Sequence, residues 1–454
     1  MCIAIYWCCT VSPYFIFTVV SEALLYSKLR IESWKMRKFN QKLICVSIAT
    51  LALTACGGGS SSNNNSNSSD SDEHDHESSV LVSQSNTTTL SLLEEGELEA
   101  LEDAAAGNGA RLVLSETAAF AAVLSSGTVN FVHGLHDDDE EEASSAEGDE
   151  GHEEEASVLD FSLTGSNVIT TSGHFAVLAE GSTTFIEYDE LENDMPNTED
   201  TTNLGVNQTY PALILDEEHD LKLLFDGVDA LVYEGQEQEK SFTCATPTSI
   251  GQTSELVVVS CGANVAALVV TEDSAGEHTL TDSILDLDGT DENYVWRAEG
   301  HVIVGFEPNT TNYAVIELND SADTVEVVKG SDSDTFEFTQ NICEIKLDSA
   351  EQEILAISEF GIFVALDHEG SELKSIELDF STESSCDAFV MASAAKTALL
   401  VDNNAQKGYE IDVDDLVNNP NEYHVHEDFD IGVSDIADMV LFHEKDKVED
   451  EHDH

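Results

Sequence analysis

The residues best equipped for chemistry in this chain are histidines set among carboxylates. His133 and His136 stand at the head of the acidic run DDDEEE, and His152 follows in the same stretch, so that 133–156 reads as an insertion rich in histidine and acid. His74 and His76 bracket an aspartate, His424 and His426 bracket a valine, His443 lies near the end, and the chain closes on Glu-His-Asp-His with His452 and His454. Neutral imidazole is a good ligand for zinc and copper, while carboxylates complete a coordination shell or raise the local cation concentration. On a strand, His424 and His426 would point to one face, because side chains repeat every two residues. Each cluster alone also fits a solvated acidic tail, and the argument for metal comes from their recurrence. Two further histidines, His174 and His301, each follow a glycine and open the same predicted strand of two repeats.

This donor set suits zinc or copper, and calcium less well. The stretch Asp286-Leu287-Asp288-Gly289-Thr290-Asp291 resembles part of a calcium loop but lacks the distal glutamate an EF-hand needs. No G-x-S-x-G, P-loop or dinucleotide-binding glycine motif occurs, and no nucleophile stands beside a base, so no enzyme is expected.

The charge balance narrows the partners. With 91 acidic against 17 basic residues, the net charge of −74 disfavours nucleic acid and anionic lipid and favours cations. Disorder does not follow, because 41% of the residues are hydrophobic and fall in strand-sized runs.

The elements that must position these groups are hairpins. An alternating strand, a turn with Gly, Asn or Asp, and a second strand recur seven times, aligned on Phe120, Phe175, Leu221, Leu256, Val302, Ile354 and Ala398. Periods of roughly 40–50 residues suit four-stranded propeller blades, and strand candidates lie between the copies. The expected fold is therefore all-β, a seven-bladed β-propeller over 110–442, with two β-sandwiches as the alternative. A short acidic run at 90–106 reads as helix or loop.

Ahead of the propeller, residues 1–35 read as an upstream extension, and the working start is Met36. Arg37, Lys38 and Lys42 form a basic segment, 43–53 an apolar stretch too short to span a bilayer, and Leu53-Thr54-Ala55-Cys56 a processing site. This resembles the bacterial lipobox, so 36–55 is expected to be a lipoprotein signal peptide and Cys56 the acylated residue. If translation starts at Met1 instead, the first apolar run could act as an extra anchor. Residues 56–109 read as a flexible tether rich in Ser, Asn and acid, and 443–454 as a histidine-bearing acidic tail.

Four cysteines follow Cys56: Cys244, Cys261, Cys343 and Cys386. An even number in an exported protein suggests two disulfides, and chain order suggests Cys244 with Cys261, closing a hairpin-sized loop, and Cys343 with Cys386, tying neighbouring blades. Four cysteines allow three pairings, and Cys343 and Cys386 could instead be thiolate metal ligands.

The runs TVNFVHGLHDDDEEE, LDFSLTGSNVITTSGHFAVLAEGS and TCATPTSIGQTSELVVVSCG resemble the AztD-type periplasmic zinc metallochaperones. The resemblance spans roughly 110–454. It implies a propeller that hands zinc to the solute-binding protein of an ABC importer, with His133, His136 and His174 as zinc ligands. The chain departs from the family where its insertion is mostly Asp and Glu, and where Cys343 and Cys386 stand in place of further histidines. The expected function is a zinc chaperone or buffer, lipid-anchored in the bacterial cell envelope on the periplasmic side or cell surface. The alternative is a propeller scaffold that binds a protein partner and uses its acid only for solubility.

Overall fold

The computed structural model describes residues 79–443, apart from 95–96, 135–155, 194–195, 273–277, 288, 290–292, 320–323, 333–334, 349–352, 379–384, 395 and 419–424. Among the described residues there are eight four-stranded antiparallel sheets, seven of them built from consecutive strands along the chain. Blades 1 to 7 occupy 111–164, 167–200, 210–243, 247–285, 295–329, 342–377 and 389–430. The seven hairpins read from the sequence are the second and third strands of these blades, as in Phe120–Ser125 with Thr128–His133 and Leu256–Cys261 with Val265–Glu272.

The eighth blade corrects the expected count of seven. Strands Val80–Gln84, Thr89–Glu94 and Glu97–Ala105 join Ile436–Leu441 from the far end of the chain, in the order third, second, first, last. Val80 pairs with Leu441 and Val82 with Met439. Strands at 80–84, 89–94 and 97–105 thus stand where a tether was expected and where the acidic run at 90–106 was expected as helix or loop. The error has a physical cause. Strand Glu97–Ala105 (ELEALEDAA) is rich in Glu, Leu and Ala, which favour helix in isolation, and only pairing with a neighbouring strand makes it extended.

Burial follows position in the blade. Central strands such as Leu256–Cys261 and Ile354–Ser358 are buried throughout, as expected for strands covered on both faces. Outer strands carry charge: Glu237–Thr243 reads EQEKSFT and is largely exposed, which discourages pairing with another chain. Buried apolar clusters run from each blade into the next, blade 8 into blade 1 included, so the packing closes a ring. Truncating a core leucine such as Leu223 to alanine in packing of this kind costs about 2–5 kcal/mol.

Both disulfides pair as chain order suggested, Cys244 with Cys261 and Cys343 with Cys386. The first does not close a loop inside one hairpin. Cys244 follows the last strand of blade 3 and Cys261 ends the second strand of blade 4, so both bridges staple neighbouring blades. Among the described residues no helix is long and apolar enough to cross a membrane.

Candidate metal centre

In each blade the turn joining the first two strands and the turn joining the last two lie at the same end of the meander. At the seam between blades 3 and 4 these turns bring together Asp216, His219 and His278. Strand Tyr210–Asp216 delivers Asp216 to the first turn of blade 3. There its Oδ1 accepts the backbone N–H of His219 at 3.0 Å, an aspartate-capped turn that fixes both side chains relative to each other. His278 opens the last strand of blade 4, His278–Leu285, and pairs across it with Glu272.

The distances suit one cation. Asp216 Oδ2 lies 3.3 Å from His219 Nδ1 and 3.4 Å from His278 Nε2, and a ligand atom from each of the three residues lies within 4.8 Å of the others. Two donors bound tetrahedrally to zinc at about 2.0–2.1 Å stand about 3.3–3.5 Å apart, so two edges of such a shell already exist. The two imidazoles meet edge to face, with centroids 4.7 Å apart.

The polar bookkeeping points the same way. The His278 side chain is 6% exposed, and neither ring nitrogen has a hydrogen-bond partner; the 3.4 Å approach to Asp216 is charge proximity without hydrogen-bond geometry. Buried polar groups are normally satisfied, so an unpaired imidazole beside a carboxylate fits a site built for an ion. Burial works to raise the Asp216 carboxyl, but hydrogen bonds from His219 and the nearby imidazoles hold it below the usual carboxylate range. His219 moves the other way, raised chiefly by its hydrogen bond to Asp216 and further by Glu272 and Glu218. A carboxylate kept ionised and two imidazoles make a net-neutralising nest for a divalent cation. Three protein donors would leave one tetrahedral position open to water or an incoming ligand, unlike the closed four-ligand shell of a structural zinc.

The residues named from the sequence fall elsewhere. His174 is buried at the start of strand His174–Ala179, placed there by a two-residue turn in which Ser172 and Gly173 both take positive φ. Its Nδ1 faces the Ser172 carbonyl at 2.7 Å, and its ring meets Phe185 edge to face at 6.5 Å. That hydrogen bond is the kind that fixes the tautomer of a ligating histidine and leaves Nε2 as the acceptor. His133 ends its strand stacked on Phe120, centroids 4.5 Å apart. His301 stands in the first turn of blade 5, exposed where His174 is buried, so the two glycine-histidine pairs do not share an environment. His426 takes a register position opposite Glu410 in blade 7, and His443 donates its backbone N–H to the Ala118 carbonyl at 3.4 Å. Cys56, His74, His76, His136, His152, His424, His452 and His454 lie outside the described residues, as does part of the stretch 286–291.

His219 and His278 were passed over because neither has a histidine neighbour in sequence. The available signal was Asp216-Glu-Glu-His219-Asp220, an aspartate three residues before a histidine in a strand-to-strand turn.

No known protein-family profile matches the chain, and no curated protein matches it in sequence. The fold is similar to that of apo AztD from Citrobacter koseri, with a TM-score of 0.59 at 12% identity over 80% of this chain and 97% of that one. A second structure of Citrobacter koseri AztD aligns with a TM-score of 0.57 at 13% identity, covering 80% and 98%. The chain therefore has the β-propeller architecture of AztD over nearly that protein's whole length.

Proposed function

We propose that this protein is a zinc-binding propeller of the bacterial cell envelope, carried on a lipid anchor at Cys56, that holds zinc in exchangeable form and passes it to an importer component. The observation that carries the reading is the buried, unpaired imidazole of His278 beside Asp216 and His219, at distances that fit a zinc shell. The AztD-like fold and the lipobox-like Leu53-Thr54-Ala55-Cys56 support the cellular setting.

In this reading the acidic surface concentrates cations near the ring by its long-range field. The histidine segments around His133, His136, His152, His74, His76, His424, His426, His452 and His454 capture them weakly, and His174 with its fixed tautomer is a further donor for the same ion class. The seam between blades 3 and 4 holds the ion more tightly. Asp216 supplies charge, and His219 and His278 supply the imidazole donors that select zinc over calcium or magnesium. The receiving partner is the solute-binding protein of an ABC importer, which would take the ion through the open fourth position.

The test is chelator-competition calorimetry with zinc on the mature chain and on a His219→Ala/His278→Ala variant. The expected outcome is loss of the tightest zinc event, by about 1,000-fold in affinity. Identical isotherms remove the seam from zinc binding, and absence of any zinc event in the unmutated protein favours the protein-binding scaffold.

A further inference from the structure

Hairpin turns that need left-handed backbone favour glycine and polar residues such as asparagine. The turns joining the second and third strands of blades 1 and 2 follow this rule, with Ser126-Gly127 and Glu180-Gly181 at positive φ. The same turn of blade 6, between Ile354–Ser358 and Ile362–Leu366, does not. There Phe360 takes φ 68° and Gly361 φ 77°. A bulky side chain on left-handed backbone is strained, because its Cβ crowds the carbonyl that follows.

Burying the ring would offset that strain, yet Phe360 is 54% exposed. Neither the turn nor the core accounts for a phenyl ring at this position. Two more exposed apolar side chains lie at the same end of their blades: Val228, in the corresponding turn of blade 3, and Ile284, near the end of the last strand of blade 4.

The turn is firmly mounted. The Glu359 backbone N–H donates to the Asn341 carbonyl at 2.8 Å, Asn341 Nδ2 donates to Glu359 Oε2 at 3.0 Å, and the Leu378 N–H donates to the Gly361 carbonyl at 2.9 Å. Two residues beyond Asn341, Cys343 is bridged to Cys386 at the start of blade 7. A turn held in this way presents its side chain with little ordering cost on binding.

Charge around the ring decides what kind of partner fits. Glu359 precedes it in the turn, Glu377 stands exposed opposite Ile362 in the ladder, and Asp387 stands exposed beside Cys386. In a chain of net charge −74, such a rim opposes a second copy of the same protein and an anionic lipid surface, and it complements a basic protein.

We propose that Phe360 is the anchor of a protein-docking surface at this end of blade 6, entering an apolar pocket rimmed by lysine or arginine on the partner. A rigid aromatic anchor within a polar rim is the arrangement that concentrates binding energy at interfaces. The surface lies at the end of the blades opposite the turns that carry Asp216, His219 and His278, so it is separate from the metal seam and does not depend on zinc binding.

The experiment has two arms. Chemical denaturation of the full mature chain compares the unmutated protein with Phe360→Asn, which relieves the strain and should raise the midpoint. A lower midpoint would mean that the ring serves the fold, and overturns the proposal. In the second arm benzoylphenylalanine replaces Phe360 in the source cell, or, as a control, Leu373, which is 38% exposed at the opposite end of the same blade. Irradiation should give one predominant protein adduct from position 360 and not from 373. That protein, purified, should bind the unmutated chain, lose about 30-fold in affinity with Phe360→Asn, weaken as salt rises, and stay within about twofold with Leu373→Ser. An adduct with lipid, with a second copy or with 379–384 of the same chain overturns the proposal, as does no predominant adduct or binding indifferent to Phe360→Asn.

Discussion

At the seam of blades 3 and 4, His278 is buried with neither ring nitrogen hydrogen-bonded and a carboxylate 3.4 Å away. In blade 2, His174 is comparably buried, yet its Nδ1 faces the Ser172 carbonyl at 2.7 Å and its ring edge meets Phe185. Both histidines open strands of their blades. The difference lies in who faces them. His174 is satisfied by its own turn, a local contact any folded hairpin of this sequence would make. His278 faces groups from a different blade, so its environment exists only when the ring is assembled. A buried imidazole without a partner is costly in a finished fold, and an ion between the blades removes that cost.

The comparison breaks most easily at Asp216. Asp216→Ala removes the one charged donor and the acceptor that shapes the His219 turn, and is expected to lower zinc affinity about 1,000-fold, or about 4 kcal/mol, by calorimetry. His174→Ala in the same assay should stay within about twofold if its hydrogen bond is structural; a comparable loss would place His174 in the tight site and erase the distinction.

The next effect concerns the staple beside the seam. Cys244 and Cys261 close a loop with a sequence separation of 17 and join blade 3 to blade 4. Replacing both with alanine should cost about 3 kcal/mol of unfolding free energy in chemical denaturation. Zinc affinity should fall with it, because the bridge holds the two halves of the site together. An unchanged denaturation midpoint would mean the blades stay in register without it.

His174→Ala itself should lower unfolding stability by about 1–2 kcal/mol, through lost packing and one hydrogen bond. The paired observation sharpens the contrast. His278→Ala removes an unsatisfied group along with its packing, so in metal-free protein it should cost less than His174→Ala, as measured by urea denaturation with chelator present.

The smallest effect is a pH dependence on the blade 1 side. Asp438, on the closing strand Ile436–Leu441, accepts the Leu112 backbone N–H at 2.8 Å and so joins blade 8 to blade 1. Burial raises its carboxyl above the ordinary range, against the pull of Lys346 and of the Leu112 and Met439 amides. The folded state therefore holds this proton to higher pH than the unfolded chain, and the contribution of Asp438 to stability declines as pH rises from the ordinary carboxylate value through the raised one. Asp438→Asn should remove that decline from the difference between the two stability curves. Parallel curves across the mildly acid range would show that Asp438 titrates alike in both states.

How much of this was legible depends on range in the chain. Hairpins such as Phe120–Ser125 with Thr128–His133 announce themselves through alternation and turn residues, because strand and turn preferences act over a few neighbours. The disulfide partners were also readable, since pairing in order left few alternatives. Glu97–Ala105 was not, because its composition argues for helix and only its partner strand argues for sheet. His219 and His278 were missed because the two imidazoles meet only across the seam of blades 3 and 4, although the carboxylate that faces both lies three residues from His219.

By itself, then, the sequence determined an acidic, all-β chain of repeated hairpins with an imidazole supply, since composition and period-two patterning act locally. Tertiary structure alone decided that there are eight blades, because the last is shared between 80–105 and 436–441 and pairs only after the whole chain has gone round. It also decided which histidines share a site, because a coordination shell is set by distances of a few ångströms in space, and those distances are made where one blade packs on the next.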